Sequence, residues 1–175
     1  DIVGTCNLRC PTCPVGNLAD SARPRGFMDY ALFERIVDKL ARESPAATPE
    51  VWLFNWGEPL LHPEAPRFLR LLRERGLPAH LSTNLNVRHG LDEVVAADPA
   101  SLKVSISGYS AATYADTHRR GDLELVVANL RALRAALDRH RVGTRIWVGQ
   151  HVYRGNQHEV EPLGALCREL GFEHH

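Results

Sequence analysis

Cysteine is scarce outside one short stretch. The chain of 175 residues has four, and three of them stand in "TCNLRCPTCPVG" (residues 5–16) as Cys6, Cys10 and Cys13. Cysteines gathered this way do not make a disulfide framework, whose bridges are spread along a chain, so a reducing, cytoplasmic setting is the reading. An excess of charge is missing too, with 21 Lys and Arg against 21 Asp and Glu. A nucleic-acid surface needs clustered basic residues, and the arginines here are mixed with acids as on solvated helix faces, so no nucleic-acid partner is expected. No apolar run approaches bilayer length and no leader-like segment opens the chain, so no membrane partner is expected either. Low-complexity tracts and linkers are absent, and residues 1–175 read as one domain.

What is present is a regular alternation of strand-like and helix-like patterns. The expected strands cover residues 1–5, 51–54, 77–83, 102–107 and 144–152. Apolar residues at helical spacing (Leu32, Phe33, Ile36, Val37 and Leu40) predict a helix that "ESPAATP" ends. Further helices are predicted around Phe68–Leu72 with Gly76 as terminator, over 91–97 up to Asp98-Pro99, over 123–137, and over 157–170 up to Gly171. Strands alternating with helices at short spacing mean crossover units and a parallel sheet. The expected fold is α/β: a partial (β/α)6-type parallel barrel with about five β/α units. The sequence begins inside a strand-like stretch and stops at "GFEHH", where another strand would begin, so it reads as a piece of a longer protein. His174 and His175 receive no function.

In parallel architectures chemistry collects at the carboxyl ends of the strands. The chemically suggestive residues all fall there. The cysteine loop follows the first predicted strand, Gly57-Glu58-Pro59 the second, and Ser82-Thr83-Asn84 the third. Ser105 and Ser107 end the fourth, and Gln150 and Asn156 flank the end of the fifth.

Spacings of three and two residues let one loop wrap three thiolates around a single inorganic centre. Thiolates suit an Fe–S cluster or zinc. A closed zinc site wants four ligands, usually from paired Cys-x2-Cys knuckles; no second pair exists, although nine histidines offer a fourth ligand. The favoured reading is a cluster with one iron left open; a Cys3His zinc module stands as the alternative. His62, His80, His89, His118 and His151 form no spaced pair on a helix and read as surface or packing residues. Cys167, beside Leu166 and Leu170, reads as a small buried hydrophobe.

"CNLRCPTC" resembles the CxxxCxxC signature of the radical S-adenosylmethionine (SAM) superfamily. The likeness runs over nearly the whole chain: "NWGEPLLHPE" is similar to that family's GGEP-type motif and "STNL" to its ribose-side motif. "VSISG", "TYADTHRRGDLELVVANLRAL" and "GNQHEVEPLGALCRELGFE" resemble the branch that often carries a SPASM extension. The resemblance implies that Cys6, Cys10 and Cys13 hold a [4Fe-4S] cluster whose open iron takes SAM. Reductive cleavage then yields a 5′-deoxyadenosyl radical that abstracts hydrogen from a peptide, protein or small-molecule substrate. It also implies an electron donor such as flavodoxin or ferredoxin.

By the same resemblance Gly57 and Glu58 face the SAM amino group, with Pro59 stiffening the turn. Ser82, Thr83, Asn84, Ser105 and Ser107 bind on the ribose side, and Arg120 pairs with the SAM carboxylate. Two departures stand out. Trp56 replaces the first glycine of the GG pair, and Thr12 replaces the usual aromatic residue before the third cysteine, which leaves adenine to the segment 151–153. A pseudo-enzyme that binds SAM without radical chemistry is a further alternative.

Overall fold

The structure, a computed structural model, describes residues 1–17, 25–44 and 49–175. In chain order it contains α1 (Pro14–Asn17), α2 (Tyr30–Glu43), β1 (Val51–Trp52), α3 (Ala65–Glu74), β2 (Ala79–Thr83) and α4 (Leu91–Ala96). There follow β3 (Ser101–Ser105), α5 (Ala111–Thr117), α6 (Leu123–His140), β4 (Arg145–Gly149), α7 (Val160–Leu170) and β5 (Glu173–His174). Short 3-10 turns, Pro59–Leu61 and Gln157–Glu159, precede α3 and α7.

Helix limits follow local chemistry. Asp29, Ser110 and Asp122 open α2, α5 and α6, each accepting a backbone N–H of the first turn that would otherwise lack a partner. Gly171, at φ 67°, closes α7 in the left-handed region that a side chain makes costly.

The sheet is parallel, in the order β1-β2-β3-β4-β5. Side chains alternate across each strand. Leu81, Leu102, Val104, Ile146 and Val148 join Phe68, Leu72, Leu130, Leu133 and Leu163 in the core beneath the helices. Each such side chain contributes about 1.5–3 kcal/mol when buried. The opposite face carries His80, Ser82, Ser101, Lys103, Ser105 and Trp147, and cavities open on it. A closed eight-stranded barrel fills its interior with branched aliphatic residues. This partial barrel has a polar, open interior instead, and that difference provides the hollow described below.

The predicted parallel α/β architecture is present, with two changes of membership. Residues 1–5 do not join the sheet: Val3 makes an isolated antiparallel bridge to Phe27, with Gly4 N–H donating to Gly26 O and Met28 N–H to Ile2 O, each at 2.9 Å. The returning 26–28 segment takes their hydrogen bonds. The fifth strand is instead β5, where Glu173 and His174 pair with Trp147 and Val148. The strand predicted over 144–152 stops at Gly149, opposite Ser105 at the end of β3, and beyond it the His151 carbonyl accepts Asn156 Nδ2 at 2.9 Å. Helix α5 was not predicted, and the last helix begins as a 3-10 turn.

Candidate active site

The three clustered cysteines are half-buried and line one cavity of about 280 Å³ at the carboxyl ends of the strands. The loop that carries them is folded around Arg9. Its guanidinium Nη1 donates to the carbonyls of Cys6 at 2.9 Å and Leu8 at 2.8 Å, while its backbone N–H reaches Arg119 O at 2.9 Å. Leu8 plugs the loop into the core with 2% of its surface exposed. Burial pushes the Cys10 thiol up to about 11 and moves Cys6 in the same direction. Both are therefore thiols at neutral pH without a metal, and a metal centre would displace their protons.

Opposite the loop stands the turn after β1. Glu58 N–H donates to Thr5 O at 2.9 Å, tying this turn to the approach of the cysteine loop. The Glu58 side chain is buried, and three protein donors reach it. Leu60 N–H and Thr83 Oγ1 donate to Oε1 at 3.0 and 2.8 Å, and Asn84 N–H to Oε2 at 2.7 Å. Burial raises this carboxyl to about 7, the hydrogen bonds opposing the rise. Glu58, expected to face a ligand's amino group, lines the cavity, and its oxygens also bind the turn to the end of β2. Pro59 is buried at the start of the 3-10 turn and is not part of the lining.

The strand ends supply the floor. Ser82 Oγ lies 3.5 Å from Ser105 Oγ, and both line the cavity with Thr83, Asn84 and Ser107. Thr83 Oγ1 also accepts Leu85 N–H at 2.9 Å, which supports the left-handed backbone of Leu85 at φ 59°. Ser107 is buried between the ends of β3 and β4: its Oγ accepts His151 N–H at 3.3 Å and its carbonyl accepts Asn156 Nδ2 at 2.6 Å. Gln150 is turned away toward His174, 3.0 Å from its ring. Gly57 and Glu58 are in the lining; Arg120 is not, and stands exposed in a left-handed turn at φ 70°.

Several lining residues escaped the sequence reading. Lys103 lies on the inner face of β3, 4.9 Å over the Trp147 ring, and Gly149 leaves the room its chain occupies. Strand alternation with Ser105 was the signal that could have found it. His118, expected as a surface or packing residue, is 5% exposed, stacks on Tyr114 at 4.7 Å and lines the cavity. Its Nε2 lies 3.2 Å from Ser105 O, and burial lowers it to about 4, so it is neutral at physiological pH. Trp56, His151 and Tyr153 are exposed at the rim, as is Thr12. A wider groove of about 770 Å³, beside His62, Arg67 and His89, shares none of the cysteines or strand-end residues.

Among known proteins, the chain is 34% identical over 84 residues to a tungsten-containing aldehyde ferredoxin oxidoreductase cofactor-modifying protein of Pyrococcus furiosus, covering 48% of this chain and 22% of that one. Its fold resembles SuiB of Streptococcus suis bound to S-adenosylmethionine, with a TM-score of 0.74 at 14% identity, over 97% of this chain and 37% of SuiB. It also resembles anSMEcpe with bound AdoMet, with a TM-score of 0.67 at 15% identity, over 99% of this chain and 49% of that one. The chain thus spans less than half the length of each of these proteins. Residues 2–156 match the profile of the Radical SAM superfamily, and the chain belongs to that family.

Proposed function

We propose that this chain is the catalytic core of a radical SAM enzyme. Cys6, Cys10 and Cys13 would hold a [4Fe-4S] cluster, and the cavity beneath them would take SAM. The observation that carries the reading is the convergence of all three cysteines with Gly57, Thr83, Asn84 and Ser105 on one polar hollow. The donor set fits: three soft thiols on one short loop, partly shielded from water, leave a fourth iron for a non-protein ligand. Among the described residues no three His, Cys, Asp or Glu side chains gather tightly enough for a single ion. Three cysteines on one loop, with no second Cys-x2-Cys pair in the sequence, favour a cluster, which offers each thiolate its own iron, over the Cys3His zinc alternative.

When bound, the cluster supplies one electron that splits SAM into methionine and a 5′-deoxyadenosyl radical able to take hydrogen from a substrate. The chain's own residues bind and orient. Ser82 and Ser105 present hydroxyls from adjacent strands to a ribose-like ligand. Gly57 lets the ligand approach the backbone. Lys103, with no carboxylate within ion-pair reach among the described residues, offers an ammonium to an anionic group deeper in the barrel. That ammonium lines the cavity and joins Arg120 as a candidate for a ligand carboxylate. Trp56, His151 and Tyr153 form the rim that would cover adenine or substrate.

The substrate is a peptide or protein, or a small molecule, and the electron donor a flavodoxin or ferredoxin. The SuiB structure bound to its precursor peptide supports a peptide substrate, and the cofactor-modifying relative supports a small molecule. No helix among the described residues is long and apolar enough to cross a membrane.

Anaerobic reconstitution tests the reading: about four irons and four sulfides per chain are expected, lost in Cys10→Ala. Dithionite and SAM are then expected to yield 5′-deoxyadenosine. A colourless protein with one tightly held zinc would overturn the cluster; a loaded cluster with no 5′-deoxyadenosine would leave a SAM-binding pseudo-enzyme.

A further inference from the structure

Asn84 lines the cavity and aims its carboxamide at sulfur. Its Oδ1 accepts the backbone N–H of Asn86 at 2.8 Å, which fixes the other end of the amide as the nitrogen. That nitrogen lies 3.5 Å from Cys6 Sγ and 3.0 Å from Asn7 Oδ1. Asn7 is oriented in the same way, since its Nδ2 donates to Asn86 O at 2.7 Å and leaves its oxygen toward Asn84. No rotation of either amide preserves these bonds.

The support behind Asn84 is rigid. Its backbone N–H is held by Glu58 at 2.7 Å, and its carbonyl accepts Asn86 Nδ2 at 3.0 Å. Asn86 Nδ2 also reaches Tyr114 Oη at 2.7 Å. Asn84 itself is 9% exposed, so water competes little for its donors. Cys6 Sγ receives a second donor from Leu8 N–H at 3.4 Å.

N–H groups aimed at a ligating thiolate draw charge from it and stabilise the more negative, reduced form of an Fe–S centre. We infer that Asn84 is a positioning residue that raises the reduction potential of the cluster through its N–H···S contact with Cys6. The inference rests on the reading of Cys6, Cys10 and Cys13 as cluster ligands. It gives the buried Glu58–Asn84–Asn86–Tyr114 network a purpose: to hold one donor still against one sulfur.

The test is a redox titration followed by electron paramagnetic resonance, on the reconstituted full chain without SAM. Asn84→Ser keeps an oxygen for the Asn86 N–H and removes the amide donor. At the wild-type midpoint its ratio of reduced to oxidised cluster is expected to fall about tenfold, which for one electron is 59 mV. Asn84→Asp preserves shape and replaces the donor with negative charge, so its fall is expected to be larger; it also serves where Asn84→Ser does not fold. Ser82→Ala, in the same cavity but with its hydroxyl on Ser105 and not on a sulfur, is expected to leave the midpoint in place. An unchanged midpoint in either Asn84 variant at full iron loading would overturn the inference. Failure of the wild-type chain to take up iron would instead strike at the cluster reading, and iron analysis separates the two.

Discussion

Gly57 lies so close to Val3 that a Cβ built on it would fall 1.9 Å from the Val3 carbonyl oxygen and 2.9 Å from its carbonyl carbon. Both partners are backbone, so no flexible side-chain tip can yield. The contact sets the height of the segment that enters the cysteine loop, and Glu58 N–H to Thr5 O locks it.

Gly57→Ala is therefore expected to destabilise the fold by about 1–3 kcal/mol, the range for overpacking, and to weaken iron retention by displacing Cys6. Gly155→Ala, where nothing lies within 4 Å, is the comparison and is expected to be near neutral. Thermal denaturation with iron analysis checks both. Equal melting points for the two variants would remove the claim that Gly57 is needed for close approach.

Glu58→Gln is expected to cost about 1–3 kcal/mol. In either orientation the new amide NH2 faces a backbone N–H, that of Leu60 or that of Asn84, where an oxygen now accepts. The midpoint of urea denaturation is expected to fall with an unchanged slope. A variant as stable as the wild type would mean that the carboxylate is not the tie between the β1 turn and β2.

Two buried groups act on stability in opposite directions below neutral pH. His118 is held near 4 against an ordinary 6.5, so between those values the unfolded chain binds a proton that the native state refuses. Stability then rises with pH in that window and is lost as pH falls, by roughly 3 kcal/mol for a shift of this size. Glu58, raised from 4.5 to about 7, has the opposite sign: between those values the native state holds the extra proton, and stability falls as pH rises. The stability difference between wild type and His118→Phe, which keeps a ring on Tyr114, isolates the first effect. It is expected to fall as pH drops from 6.5 to 4, and a flat difference would count against a neutral buried imidazole.

Much of the fold was legible because its signals are local. The alternation at Ala79–Thr83 and the periodicity within α2 and α6 each depend on a few neighbours, and the sequence carries them directly. The position of the cysteines before a run of β/α units was legible for the same reason. Strand membership was not: whether Ile2-Val3 or Glu173-His174 completes the sheet depends on which backbone partner is nearby, and residues 26–28 claimed the first.

The amino-acid sequence by itself determined the three-cysteine loop, the crossover architecture and the gathering of polar residues at strand ends. Tertiary structure alone decided their partners. Glu58 meets donors 25 and 26 residues away, and Asn84 finds Cys6 across 78. Lys103 and His118 turned inward while Arg120 turned out. Spacing along a chain sets which face a side chain takes, but a hydrogen bond acts over about 3 Å and is satisfied only after distant segments have closed on one another.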